Sequence, residues 1–394
     1  MRAKQKLSVT AAIAALAAGA TLSAHPSPAY AASSPTPITA SNFWLTADYG
    51  TTYSEPVAGL LQQAGHASVS TVMDHANHDR SPATAISTQV HGFIWDSGDN
   101  NDTNVAPQGI TTSRDAIGTA NNGRYDGRQL IAASFYNNDP KGSRINLTDW
   151  DSNYPDKYRY VLLVEPTGTK AAPSFKDVQI HVGGIAWYGN YLYVADTGNG
   201  MRVFDMSKII KTYTGGDKSL IGKHDTHFYA HNYAYALPQV GKITSNVATG
   251  TTKLTWSTIS LDRPKKSIVM TEYKCPTTVT CNYPKGTTRA IRFPFASGGA
   301  KFAAKTYANQ ALNTPFHYLN GVASHNGRWW FNDSHDKKLF YWGGSGAVST
   351  YDWVSSGESI SYWEDATGPD ELWSLREGLG HRNVFAVNQG SYDG

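Results

Sequence analysis

The sequence predicts an all-β fold, and three observations carry that expectation. The first is a module that occurs twice. Gly184-Ile185-Ala186-Trp187, Tyr191 to Asp196 and Met201 to Asp205 make three short runs, and Gly321-Val322-Ala323-Ser324, Trp329 to Asp333 and Leu339 to Trp342 repeat them. The second is the joints: Gly, Asn and Asp separate the runs, as in consecutive hairpins of one sheet. The third is a small residue followed by a β-branched one at five places, Gly109-Ile110, Gly184-Ile185, Thr258-Ile259, Gly321-Val322 and Ser359-Ile360. A recurring antiparallel sheet usually stacks radially around an axis, so the architecture expected is a closed β-propeller.

The five anchors read as the first, innermost strand of a blade, beside a narrow channel where small residues fit. After Ile110 come Leu130–Phe135, Arg144–Thr148 and an outer run Tyr158–Val164. After Ile259 come Ser267–Thr271 and Arg289–Phe293, and after Ile360 come Leu372–Leu375 and Val384–Val387. The last blade then lacks an outer strand. The N-terminal region is the natural donor, through Ser68–Met73 or Gln89–Trp95, because closing the ring with one chain end removes an exposed edge. Successive anchors are 75, 74, 63 and 38 residues apart. A four-stranded blade needs ~40–45, so the long intervals hold large loops or further blades, and five to seven blades are allowed. Helix is expected only in short pieces such as Val57–Gln63.

Arg2, Lys4 and Lys6, an apolar run from Leu7 to about Leu22 and Ala29-Tyr30-Ala31 form an export-signal pattern over residues 1–31. Residues 32–40, with Pro35 and Pro37, read as a flexible leader, and 41–394 as one propeller domain. Removing the signal's three cations takes the formal charge from +3 to zero. That argues against nucleic acid or an anionic membrane as a partner. Cys275 and Cys281 are the only cysteines, and such a close pair in an exported chain is expected to be a disulfide. The 23 tyrosines and 11 tryptophans suit strand faces first, although exported carbohydrate binders are also rich in them.

The residues just before the anchors should face a shared axial channel. They are Gln108, His181, His317, Asn320 and Glu358, and their nitrogens and oxygens would suit a divalent cation or a small ligand, or simply a wet channel. His224, His227 and His231, and separately Asp74, His75, His78 and Asp79, have spacings that on a helix turn would hold zinc. A surface loop or strand is the reading preferred for both, with His227 and His231 on one strand face. No nucleophile motif is complete: after Gly343-Gly344-Ser345-Gly346 comes Ala347, so Gly-x-Ser-x-Gly fails. Paired carboxylates for glycoside chemistry could come from Asp196, Asp205, Asp333, Glu358, Glu364 or Asp365. Asp196 and Asp333 occupy equivalent strand ends, which points to turn chemistry.

Ala106 to Thr112, Tyr160 to Pro166, Gly183 to Asp205 and Leu372 to Val387 resemble stretches of a family of secreted β-propellers of filamentous Gram-positive bacteria, the dispase autolysis-inducing proteins. The resemblance implies seven blades and a non-enzymatic role; no cofactor is expected beyond a divalent cation that the axial channel could hold. It implies a protein, monomeric before cross-linking, that provokes self-digestion of a neutral metalloprotease and is cross-linked by transglutaminase. A reactive glutamine needs a flexible, exposed segment, which favours Gln62, Gln63 and Gln389. The runner-up is a glycan-active lyase or hydrolase, or a carbohydrate-binding propeller, using the channel.

Overall fold

The computed structural model describes residues 33–138 and 142–394. The expected signal lies outside these residues. Blade 1 is Val105–Thr112, Leu130–Asn137, Arg144–Asp149 and Lys157–Gly168, from the inside outwards. Blade 2 is Ile185–Tyr188, Tyr191–Asp196, Gly200–Asp205 and Tyr235–Val247. Blade 3 is Trp256–Asp262, Ser267–Glu272, Thr288–Pro294 and Gln310–Thr314. Blade 4 is Leu319–His325, Arg328–Asp333, Lys338–Trp342 and Val348–Asp352. Blade 5 is Gly357–Trp363, Glu371–Arg376 and Asn383–Asn388, completed by Gln89–Ile94. The inner strands pack in a cycle, 1 on 2, 2 on 3, 3 on 4, 4 on 5 and 5 on 1. All five anchors lie on these inner strands. Seven blades would need two more inner strands than this closed ring contains among the described residues.

Alternation along the second strands explains the closure. In blade 1, Leu130 and Ala132 face a core shared with Trp187 and Val194 of blade 2, while Ile131, Ala133 and Phe135 face Trp373 and Val384 of blade 5. In blade 3, Ile268 and Met270 meet Tyr193 and Val203 of blade 2, while Val269 meets Val322 and Phe331 of blade 4. In blade 4, Trp330 turns the other way, onto Ile360 and Leu372 of blade 5. Both faces of each blade are therefore apolar at period two, and each fills a gap between neighbours. The small anchors have a steric cause. A Cβ on Gly184 would lie 2.2 Å from the Ile259 backbone nitrogen, and one on Gly109 2.8 Å from that of Ile185. One on Gly321 would lie 2.6 Å from the Glu358 carbonyl oxygen. At these three steps the inner strand touches the backbone of the next.

The long intervals are extensions and loops. The outer strands of blades 1 and 2 run past their own sheets and pair in parallel, Leu162 with Ala236 to Val164 with Pro238, fusing the two blades. A hairpin, Ile221–His224 with His227–Ala230, projects before the outer strand of blade 2. The N-terminal region adds to existing edges. Phe43–Asp48 pairs with the outer strand of blade 2, and Gln89–Ile94 closes blade 5 against Asn383–Asn388. The other proposed donor, Ser68–Met73, instead forms the N-cap and most of α2 (Val69–Asp74), which follows α1 (Ser54–Gln63) on the rim. Nor is the leader loose where it is described. Thr36 and Pro37 pair with Asn313 and Leu312 at the edge of blade 3, and Ser34 Oγ donates to the Gly346 carbonyl at 2.6 Å. The unpaired blade edge recruits it. Asp96 caps the short α3 (Ser97–Asn100). No helix among the described residues is long and apolar enough to cross a membrane.

The short α4 (Ser113–Ile117) continues from the inner strand of blade 1 and packs on those of blades 2 and 5. Asp115 completes a capping box with Thr112. Its carboxylate accepts from Thr111 Oγ1 at 2.8 Å and from Ser361 Oγ of blade 5 at 2.5 Å. Burial nevertheless pushes its pKa from 3.8 up to about 6. A carboxyl with a raised folded pKa stabilises the fold fully below its unfolded value, and that contribution is lost as pH rises through the folded value. Asp115→Asn should therefore gain in melting temperature relative to the parent as pH rises from 4 to 7. Calorimetry across that range checks it, and parallel curves would contradict it.

Candidate axial site

The start of each inner strand meets the axis. There Gln108, His181, Asn320 and Glu358 line one cavity of about 470 Å³, with Ser257, Glu377 and the rings of Tyr136, Tyr273 and Tyr283. Four of these side chains stand at irregularities of the inner strands. Register shifts occur between Pro107 and Ile110, Trp256 and Thr258, Leu319 and Gly321, and Gly357 and Ile360. A bulge adds a residue, breaks the alternation and re-aims a side chain. Here it places Gln108, Ser257, Asn320 and Glu358 in the cavity lining. His181 comes from the approach to blade 2, next to Val182 at φ +51°. That is the left-handed region, unusual for a β-branched residue, and marks a locally constrained backbone.

Two carboxyls dominate the chemistry. Glu358 is 2% exposed and accepts from Asn320 Nδ2 at 2.9 Å. Burial raises its pKa well above the ordinary value, and the Glu377 charge adds to this against the Asn320 hydrogen bond. Glu377 accepts from Gln108 Nε2 at 2.6 Å, and burial raises its pKa too, against that bond and the Arg382 charge. Burial lowers the pKa of His181, favouring its neutral form, and its ring lies 5.0 Å from that of Tyr136. Cys275 and Cys281 are bonded, with Cα atoms 6.7 Å apart. They clip the loop between the second and third strands of blade 3. Tyr273 and Tyr283 bracket that clip, 4.8 Å apart edge to face, and form one wall of the cavity. Glu377 and these tyrosines were absent from the sequence candidates. The tyrosines' position either side of the cysteine pair was the signal available for them; Glu377 follows its strand with no motif.

Other sequence candidates fall elsewhere. His317 is outside the cavity lining, its ring 6.5 Å from Tyr318. His224 and His227 face each other across the projecting hairpin. His231 has left the strand with φ +50° and contacts Asp177 at 3.0 Å, so it does not share a strand face with His227. The second cluster disperses: Asp74 pairs with Arg128, Asp79 with Lys157, and His75 Nδ1 lies 3.0 Å from the Tyr235 hydroxyl. His78 instead joins Asp96 and Asp99, with Nδ1 2.7 Å from Asp96 Oδ2. That trio is the one group among the described residues that brings three metal-ligating atoms within 4.8 Å of one another; the axial residues do not. Asp333 Oδ1 accepts from the backbone nitrogens of His335 and Asp336, and Asp196 Oδ1 from Asn199 Nδ2, which is turn chemistry. Gln389 is only 5% exposed, inside a 3-10 turn against Tyr362, rather than on an open tail. Gln62 and Gln63 lie exposed on α1, an ordered helix rather than a flexible segment, and Gln63 Nε2 donates to the Ala171 carbonyl at 3.2 Å.

Residues 181–208, most of blade 2 with His181 at its start, match the LVIVD repeat family. No curated protein matches the chain. Among solved structures it is similar to the β-propeller domain of Cps50 (Swd1) from Myceliophteria thermophila. The identity is 10% and the TM-score 0.33, over 73% of this chain and 99% of that one. It is also similar to a quinonprotein alcohol dehydrogenase-like protein from Bacteroides thetaiotaomicron. There the identity is 10% and the TM-score 0.26, over 89% of this chain and 78% of that one. The chain is a β-propeller, and residues 181–208 within its blade 2 are similar to the LVIVD repeat.

Proposed function

We propose that this propeller is a secreted, non-enzymatic scaffold that acts by protein contact across its axial face. The supporting observation is the disulfide-clipped loop beside the cavity, which holds Tyr283 58% exposed and Val279 37% exposed on a rigid support. A fixed, solvent-facing aromatic beside a concavity is the type of residue that anchors protein interfaces. The sequence resemblance suggests the partners: an extracellular neutral metalloprotease whose self-digestion the propeller hastens, and a transglutaminase that labels it. Gln62, exposed on the rim, is the acceptor best placed for labelling.

Adding the pure protein to a neutral metalloprotease should shorten the protease's active lifetime while the propeller stays intact. Tyr283→Ala should weaken the effect at least several-fold. Amine-probe labelling by transglutaminase should fall on Gln62 and disappear in Gln62→Asn. An unchanged protease lifetime would overturn this reading.

A second reading has its own support. Tyr136, Tyr273 and Tyr283 beside Glu358 and Glu377 form the aromatic-plus-carboxyl lining used for sugars. Cleavage of a polysaccharide from a glycan panel, lost in Glu358→Ala, would replace the first reading.

A further inference from the structure

We propose that the axial cavity is a receptor for a protonated primary amine, with Glu358 and Glu377 as its anionic floor and Tyr136, Tyr273 and Tyr283 as its aromatic wall. The inference concerns the cavity's own ligand and stands whether or not the protein-contact reading survives.

Charge is the first argument. Glu358 and Glu377 are the carboxylates of the lining, and among the described residues no Lys or Arg lines it. Among the described residues neither carboxylate has an ion-pair partner within 4.0 Å. Asn320 and Gln108 meet them with neutral carboxamide N–H groups, at 2.9 and 2.6 Å. For Glu358, which has no counter-charge, burial is costly unless it keeps a proton or takes up a cation, while the partly buried Glu377 feels the Arg382 charge without a close ion pair. Burial raises the pKa of both groups, the direction expected of carboxyls held away from water. An ammonium group entering between them would supply the missing charge, with three N–H donors for the oxygens' remaining lone pairs.

Shape and chemistry select the cation. About 470 Å³ far exceeds the needs of a bare metal ion and suits an alkylammonium with its carbon stem. The axial donors do not gather in the tight trio that a metal needs, whereas His78, Asp96 and Asp99 do. Tyrosine faces attract ammonium groups and cover the apolar stem. The bulges in the inner strands aim Gln108, Asn320 and Glu358 at the axis, so the floor is built by the backbone and is already formed.

The same chemistry could arrive as a free small amine or as a lysine side chain of a protein. Titration calorimetry on the full chain decides, using n-butylammonium chloride, n-butanol, glucosamine, calcium chloride, and a lysine-centred peptide with its Nε-acetylated twin. Saturable binding of butylammonium is expected, with none for butanol. Glu358→Gln and Glu377→Gln should each weaken it about ten-fold or more. If the fully buried Glu358 variant fails to fold, the less buried Glu377→Gln keeps the test in force. Tighter binding of the lysine peptide than of its acetylated twin and of glucosamine supports a protein side chain as the source. The reverse order supports a small amine. Absence of amine binding, equal binding of butanol, affinity unchanged in the glutamine variants, or calcium binding in place of the amine would each overturn the proposal.

Discussion

A Gly184→Val protein is expected to lose a large part of its stability, with a drop of about 3 kcal/mol or more. The added Cβ would meet the Ile259 backbone nitrogen at 2.2 Å and the Thr258 Cα at 2.9 Å. The two nearest obstacles are backbone atoms that cannot rotate away, so blades 2 and 3 must separate. Total stabilities of about 5–15 kcal/mol leave little margin for that. The control is Gly250→Ala, where the same Cβ meets nothing within 4 Å, although φ +81° there carries its own modest strain. Urea melts of the three proteins decide. A Gly184→Val curve that overlies the parent's would mean that the inner strands do not touch as described.

Asp262→Ala should cost about 3–5 kcal/mol, because it strands a buried cation. Asp262 is fully buried and takes a 2.7 Å hydrogen bond from Arg292 Nη1 and a 2.8 Å bond from Ser324 Oγ of blade 4. Backbone nitrogens of Asn326 and Gly327 donate to it at 3.0 and 3.2 Å. Burial works to raise its pKa, yet the Arg292 charge and these bonds hold it below the usual carboxylate value. Asp262→Ala leaves the 4%-exposed Arg292 with Ser267, Ser324, Gln310 and the face of Trp329. Adding Arg292→Met should recover much of the loss, since a buried pair is replaced more safely than halved. A double variant no more stable than Asp262→Ala would remove the ion pair from the explanation.

The features visible in the sequence and those hidden from it differ for physical reasons. Gly184, Gly109 and Gly321 were visible because contact between neighbouring backbones excludes a side chain, and composition records the exclusion directly. The second strands were visible because both faces are buried, so runs such as Ile268-Val269-Met270 stay apolar throughout. Hidden features depend on distant partners. The polar stretch around Thr36 becomes a strand only because blade 3 offers an edge, and α1 and α2 occupy length that could have been another blade. At the axis, Gln108, His181, Asn320 and Glu358 were found by their place before an anchor. His317 shares that place in sequence but lies outside the lining, because position in the chain does not specify where a bulge will turn a side chain. Glu377 had no marker, and Gln389 was misplaced because nearness to the chain end says nothing about packing against Tyr362.

The seam of blade 5 joins Gln89–Ile94 to Asn383–Asn388, about 290 residues later, and so dictates when the molecule can become stable. Blades 2, 3 and 4 can each assemble from local hairpins as the chain is synthesised. Blade 5 cannot, because its outer strand is made early and must wait for partners made near the end. Such a high contact order makes closure slow and places it last. Until then the edges of blade 5 are open to other chains. A permutant with new termini between Asp352 and Gly357, and the old ones joined, would move the seam between blades 4 and 5 and bring the two parts of blade 5 much closer in sequence. Its refolding rate, compared with the parent's, would measure how much of the folding time the original seam consumes.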